Sequence, residues 1–431
     1  MPGTKHEVQS TFLKYLLLNQ CFYPDVVSTA QHLTDLASGL AERGHEVTVV
    51  TSDRGYDNPD KRFPQHEVWN NITIHRIPSL SFGKTTKLRR ALNFGSFLTV
   101  CSLRLLTLGS FDVVVALTSP PLISFLASWF VAIKGGRFVF WVMDLNPDEA
   151  IAAGWLRNES FSARVLKWML NHSLKQSDRT IVLDRFMRLR VLEKGIDAER
   201  VSILPPWSHD DTVKYSEEGR REFRRTHAIE RKFVVMYSGN HSPCHPLKTL
   251  LEASQSLAGN DEIVFYFVGG GSEYIKVQEF ASTNQLKNIT CLPYQPLNKL
   301  SASLSAADLH VVVMGEDFAG IVHPCKIYNI MTVGVPTLYI GPDESHVSDL
   351  AAEIELNQIS VARHEDVDTV VKLITEAAAR KGTPPAKYSS TSRERFSKRA
   401  LLSEMIDLIE FNSIRNSQVR EAVLAIPNTD R

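Results

Sequence analysis

The feature that most constrains this chain is a rhythm that runs, stops once and starts again. Short apolar runs of strand length fall at 12–18, 46–51, 72–77, 112–116, 137–143 and 179–183, with helical segments at 29–43, 87–108, 122–133 and 161–177 between them. In the first helical segment Leu33, Leu36, Ala37 and Leu40 recur at helical spacing, and Gly44 follows as a stop. Apolar strands alternating with helices imply parallel βαβ units, with both sheet faces covered and right-handed crossovers.

The rhythm stops at Leu204-Pro205-Pro206-Trp207-Ser208 and a polar stretch follows at 210–232. It resumes with strands at 233–237, 263–268, 289–292, 309–314 and 337–340, and ends in a long helix at about 394–411. The expectation is an α/β chain of two Rossmann-like, doubly wound domains, 1–207 and 208–393, followed by a helix and a loose tail over 394–431.

Composition narrows the function. Lys plus Arg and Asp plus Glu are 48 each among 431 residues. That balance gives no reason to expect nucleic-acid binding. The five cysteines include no C-x-x-C pair, so neither a disulfide framework nor a standard zinc site is expected, and a reducing, cytoplasmic setting is. No stretch reaches the roughly 20 apolar residues of a membrane span.

In open α/β sheets ligands bind beyond the carboxyl ends of the strands, so the loops after strands hold the candidates. The loop after the first strand leads to Ser28 and Thr29, which read as helix N-caps or as partners of a phosphate or sugar hydroxyl. Asp144 follows a strand in Trp141–Glu149 and reads as facing a sugar or as a cap, while Asp148 and Glu149 read as caps. Gly239 and Asn240 permit a tight turn, and His241, His245 and Lys248 offer positive charge to a diphosphate. The run Gly269-Gly270-Gly271 permits close backbone approach or is a plain turn, and it fails the dinucleotide fingerprint because Tyr274 stands at the third glycine position. Gly320, Ile321 and Val322 before a helix bearing Lys326 read as an anion cradle of backbone N–H groups and one ammonium. A lysine in a first helical turn opposes the helix dipole, which favours an anionic ligand over a plain surface role.

Read in order, several segments resemble the GT-B glycosyltransferases of family 4, in their bacterial capsule, colanic-acid and O-antigen branch. These are FYPDVVSTAQHLTDLASGLAERGHEVTVVTS, TSPPL, WVMDLNPDEAIAAGWL, VMYSGN, FVGGGSE, LPYQP and HPCKIYNIMTVGVPTLYIG. The resemblance implies two Rossmann-like domains facing across a cleft. The C-terminal domain would hold a UDP- or GDP-linked sugar, with Tyr294 at the base and the Gly320–Val322 backbone and Lys326 at the diphosphate. The N-terminal domain would hold a saccharide or polyprenyl-linked acceptor, with Ser28, Thr29 and Asp144 facing it. The last helix would cross back to the first domain. Transfer would retain configuration and need no cofactor and no metal. The one D-x-D, Asp366-Val367-Asp368, reads as a helix cap.

The chain departs from that pattern at three places. Val27-Ser28-Thr29 replaces a common Gly-Gly, Asn329 replaces a Glu that would hold the ribose, and an Arg–Lys pair is missing where Asn240 and His245 stand nearby. Two other readings therefore stay open: a nucleotide-sugar epimerase on the same scaffold, and a catalytically silent binding subunit. Separately, Lys84–Arg104 is basic and partly amphipathic. It reads either as an interfacial helix for peripheral contact with the inner membrane or as a core-packed helix with a solvated basic end.

Overall fold

The computed structural model describes residues 12–55, 60–80, 87–354, 358–381 and 390–410. The proposed tail after the last helix lies outside these residues.

The first sheet contains β1 (Lys14–Leu18), β2 (Glu46–Ser52), β3 (His66–Trp69), β4 (Ile72–Ile77), β5 (Val113–Ala116), β6 (Arg137–Trp141), β7 (Arg179–Val182) and β8 (Val201–Ile203), in the order β3-β4-β2-β1-β5-β6-β7-β8. β1 lies inside it, with Leu16 opposite Thr48 of β2 on one side and Val114 of β5 on the other. Tyr15 to Leu18 are fully buried, as a strand covered on both faces requires. The sheet is not wholly parallel, because β3 runs antiparallel to β4 at the edge. The two join through Asn70 and Asn71, both at positive φ, which is the two-residue hairpin turn that asparagine tolerates. β3 alternates half-buried and exposed residues and carries no apolar run, so the strand rhythm did not reveal it.

The second sheet contains β9 (Phe233–Asn240), β10 (Ile263–Gly270), β11 (Ile289–Leu292), β12 (Leu309–Val313), β13 (Thr337–Ile340) and β14 (Ile359–Ala362), all parallel, in the order β11-β10-β9-β12-β13-β14. The polar stretch before it is not simply a connector. Its residues Glu217–Thr226 form a helix that buries Phe223 and turns Arg220 and Arg224 onto Asp308. Asp308 also accepts the Val234 N–H at 2.8 Å, so this helix is tied to the start of β9.

Strand order reverses between β1 and β5 in one sheet and between β9 and β12 in the other. Crevices open at the carboxyl ends of such strands. The core of the first sheet continues into the second half through Phe318, Ile321, Ile327 and Tyr328. The final helix, Lys398–Ile409, returns to helix Ser28–Glu42 and buries Leu401, Met405, Ile406 and Ile409. Gly39 makes that approach feasible, since a Cβ there would lie 2.8 Å from Ile406 Cδ1. Arg43 pairs with Asp407 at 2.7 Å and with Glu410 at 3.1 Å along the same contact.

Candidate active site

The loops at both switch points meet. On the side of the second sheet, Lys326 opens helix Lys326–Val333, and its ammonium has no hydrogen-bond partner although it is buried. It lies 3.7 Å from the centroid of the Tyr237 ring. Burial pulls its pKa down to about 7, because a desolvated cation without a counter-charge is costly. Gly239, at φ +136°, leaves the space for it, since a Cβ there would lie 3.0 Å from Nζ. Burial and then Lys326 lower His241 to about 4 and His245 to about 3, so neither supplies the positive charge expected of it. His245 instead donates from Nδ1 to the Val313 carbonyl at 2.7 Å. Lys248 is exposed and lies 3.8 Å from Glu252 on its own helix. Lys326 is thus the cation that this wall offers.

Asn240 ends β9 in register with Gly270 of β10. Tyr294, half exposed, donates to the Gly270 carbonyl at 3.4 Å. A Cβ on Gly270 would come within 3.1 Å of the Tyr294 ring, so these three residues form one edge of the site. Gly320, Ile321 and Val322 depart from expectation. The N–H groups of Ile321 and Val322 both donate to Phe318 O, at 2.9 and 3.2 Å, and are not free for an anion. The Ile321 carbonyl accepts from Leu145 N at 2.9 Å, and Gly320, at φ +69°, presses on Phe186, where a Cβ would sit 2.6 Å from the backbone. This loop clamps the two halves together. Asn329 is engaged within its own half, its Oδ1 accepting the His209 N–H at 2.9 Å.

On the opposite wall Asp144 follows β6. Burial, and then the neighbouring Glu149, push its pKa up to about 8, and burial raises Glu149 as well. Glu149 is not a cap. Helix Asp148–Ala152 is capped at Pro147 without a side chain, and the Glu149 carboxyl accepts from Asn146 Nδ2 at 2.9 Å and from Cys244 Sγ of the second half at 3.6 Å. Asp148 pairs with Lys194 at 3.0 Å. Ser28 and Thr29 are not caps either. They are the first two residues of their helix, behind Val27, and the Ser28 hydroxyl meets the Cys325 sulfur beside Lys326. Burial pushes the thiols of both Cys244 and Cys325 up, and the nearby Asp144 adds to the shift in each. Contacts of Glu149 with Cys244 and of Ser28 with Cys325, the neighbour of Lys326, therefore bring the two halves together here. Glu149 and the two cysteines were missed in the sequence, where an acid near a helix start and an isolated buried cysteine carry no distinguishing pattern.

Comparison with known proteins accords with this geometry. Residues 29–207 match the family described as "Glycosyl transferase 4-like domain". The chain is 24% identical over 426 residues, 94% of its length and 100% of the relative's, to a protein of Escherichia coli (strain K12) named as a colanic acid biosynthesis glycosyl transferase, WcaI. The sucrose-phosphate synthase of Thermosynechococcus elongatus has the same fold, at a TM-score of 0.70 and 14% identity over 95% of this chain and 100% of that one. So does HepE of Anabaena, solved with UDP and glucose, at 0.68 and 15% over 92% and 99%. This chain is a GT-B glycosyltransferase with a family 4-like domain.

Among the described residues the glycosyltransferase has two His–Asp groups of metal-like spacing, and in each the carboxylate is held by protein contacts while His32 Nδ1, His209 Nε2 and His346 Nε2 are buried without a hydrogen-bond partner. In His32, Asp35 and His209, the carboxylate is held by Lys398 at 2.6 Å and by Trp207 Nε1 at 2.8 Å. In Asp184, His323 and His346, the His323 ring lies between Asp184 at 2.7 Å and the Tyr328 hydroxyl at 2.8 Å. Asp184 also accepts the Met187 N–H at 2.7 Å as the cap of helix Arg185–Leu192. Burial would raise that carboxyl, but its bonds to His323 and Met187 outweigh burial and hold it below its ordinary value. The D-x-D acts as expected at its first residue, with Asp366 accepting the Thr369 N–H at 3.1 Å to cap helix Val367–Ala379.

Proposed function

We propose that this glycosyltransferase moves a sugar, with retention, from a UDP- or GDP-linked donor to a saccharide or polyprenyl-linked acceptor in surface polysaccharide synthesis, with peripheral contact at the inner membrane. The observation that carries this reading is the buried, unpartnered ammonium of Lys326. A nucleoside diphosphate would supply its missing counter-charge. As the glycosidic bond to the diphosphate breaks, negative charge grows on the leaving oxygen, and a fixed cation in a dry site stabilises that charge most when it is fully developed. Asp144 on the facing wall orients the acceptor or steadies the cationic sugar. The donor site is completed by Gly239, Asn240 and Gly270 along the strand ends, with Tyr294 against the base. His245, Asn329 and the Gly320–Val322 loop support it from behind, and Ser28 and Thr29 face the acceptor. The reading calls for no cofactor besides the donor itself.

Thermal shift against UDP- and GDP-sugars, with Lys326→Met as control, tests it. One nucleotide class should stabilise the wild type by several degrees and leave the variant unmoved. Equal stabilisation of both proteins, or of neither, would overturn it. Product formed only when acceptor is present separates transfer from epimerisation.

A further inference from the structure

A group of side chains outside the cleft is used by neither folding nor transfer as described so far. His32 and Asp35 stand one turn apart on helix Ser28–Glu42 and so share a face. Trp207 and His209 stand where the chain passes from the first half to the second, and Lys398 is the first residue of the returning helix. The three segments converge on the Asp35 carboxylate. Its Oδ1 meets Lys398 Nζ at 2.6 Å, and its Oδ2 accepts from Trp207 Nε1 at 2.8 Å. The two imidazoles stack with ring centroids 5.0 Å apart, and Trp207 stands edge to face with the His32 ring at 4.9 Å.

Folding does not account for the imidazoles. His32 is 1% exposed, and its Nδ1 has no hydrogen-bond partner. Nε2 of His209 is buried as well, and it faces Asp35 Oδ2 from 4.0 Å, beyond hydrogen-bond reach. A buried ring nitrogen without a partner costs stability, so two of them side by side point to a ligand that takes up their lone pairs. Burial lowers the pKa of both rings, so each is neutral at pH 7 and has a lone pair to give. Ligand atoms of His32, Asp35 and His209 all lie within 4.8 Å of one another. Charge points the same way. Asp211 shares the Lys398 ammonium with Asp35, at 2.7 Å, and Asp210 accepts the Lys398 backbone N–H at 2.9 Å, so three carboxylates face a single ammonium. Two imidazole nitrogens and a carboxylate oxygen suit Zn²⁺, Co²⁺ or Ni²⁺, whereas Ca²⁺ and Mg²⁺ favour oxygen alone. The Trp207 N–H fixes the carboxylate as the outer partners of metal ligands do.

We infer that His32, Asp35 and His209 bind one divalent transition-metal ion of the Zn²⁺ class, with water in the fourth position, as Lys398 passes from Asp35 to Asp211. A tetrahedral ion holds its ligand atoms about 3.3 Å apart, so side-chain movements of about 1 Å complete the site. The ion fastens helix Ser28–Glu42 to the passage between the halves and touches no reacting atom. It lies behind the donor site, because Asn329, on the helix that Lys326 opens, holds the His209 N–H. The full chain, stripped with chelator, is titrated with Co²⁺ and then with Zn²⁺. One equivalent of Co²⁺ should give the visible bands of a four- or five-coordinate nitrogen–oxygen site, without the near-ultraviolet thiolate band of binding at a cysteine, and Zn²⁺ should displace it. His32→Gln and His209→Gln should each weaken Zn²⁺ binding about hundredfold. Lys398→Met removes the competing ammonium and keeps all three ligands, so it should tighten binding about tenfold. Its sign reads the site even where a histidine variant fails to fold. Zn²⁺ should raise the melting temperature of the wild type by several degrees and leave the histidine variants unmoved. Nucleotide-induced thermal shift is read separately, so a failure at this site leaves the donor site standing. Any of four results would overturn the proposal: no visible Co²⁺ bands, a thiolate band, Zn²⁺ affinity unchanged by loss of either histidine, or weaker binding in Lys398→Met.

Discussion

Two charged clusters cross the boundary between the halves of this glycosyltransferase, and they are built on opposite terms. In the outer one every charge has a partner. Asp184 meets His323 at 2.7 Å, and Arg185 holds Asp349 through two bonds at 2.6 and 2.9 Å. In the inner one the charges are held apart. Asp144 and Glu149 are crowded together, while Lys326 lies unpaired beyond them. Folding alone would favour the first arrangement everywhere. The second persists at a cost to stability, which is the mark of a site arranged for a ligand with cationic and anionic parts.

The largest effect should come from breaking the outer cluster. Asp184→Ala strips a buried partner from His323 and removes a helix cap, so unfolding free energy should fall by about 3–5 kcal/mol. Asp184→Asn keeps the cap and should lose less. Chemical denaturation measures both, and a loss under about 1 kcal/mol for the alanine variant would erase the contrast between the clusters.

The inner cluster should respond in the opposite sense. Lys326→Met should lower kcat/KM by ~10²–10³-fold, the usual effect of losing one donor to a developing anion. Stability of the empty protein should hold or rise. A lysine pKa lowered to about 7 means that the folded state binds fewer protons than the unfolded state between about pH 7 and 10.5. The ammonium's burden on folding is therefore fully present below pH 7 and is relieved as pH rises. Nucleotide binding at pH 8 should take up close to one proton in the wild type and none in the variant. Calorimetry in two buffers of different ionisation enthalpy reads this directly.

Asp144→Asn sharpens the comparison from the other wall. A carboxyl raised from 3.8 to about 8 makes the empty protein lose stability as pH rises through that interval, since the unfolded chain ionises there and the buried group does not. The asparagine variant lacks this slope. It should melt higher than wild type at pH 8 and about equally at pH 4, with slower transfer at both. A variant that melts lower at pH 8 would show that Asp144 is paired after all.

These two clusters also show what the sequence could and could not convey. Leu33, Leu36, Ala37 and Leu40 announced their helix because a repeated pattern over several turns is a local property. Lys326 was legible for a related reason, since its placement in a first helical turn is unfavourable unless an anion is near. Glu149 was read as a cap because its partner in the second half, Cys244, lies 95 residues away. The amides of Ile321 and Val322 were read as free although Gly320, at φ +69°, marks the turn in which both donate to Phe318 O. Helix Arg185–Leu192 escaped notice because it buries only Met187 and Val191, too thin a stripe to register, although its cap Asp184 anchors the outer cluster. What escaped sequence reading was pairing across the boundary between the halves, and that pairing separates the two clusters.

The smallest predicted effect tests whether the outer cluster is uniform. The Arg185–Asp349 pair has good fork geometry, but the arginine side chain is 45% exposed, so solvent screens it and ordering both side chains offsets much of the attraction. Arg185→Ala should cost about 0.2–1 kcal/mol, and that cost should shrink at 1 M salt, where the Debye length falls to roughly 3 Å. If transfer activity and nucleotide-induced thermal shift stay near wild type, the exposed pair only trims the contact, and buried Asp184 and His323 hold the halves in register. A loss above about 2 kcal/mol, or a marked rise in KM with kcat unchanged, would mean that the exposed pair helps set the closure on which the unpaired cleft depends. The clusters would then be one coupled device, and a double-mutant cycle between Arg185 and Lys326 would measure the coupling.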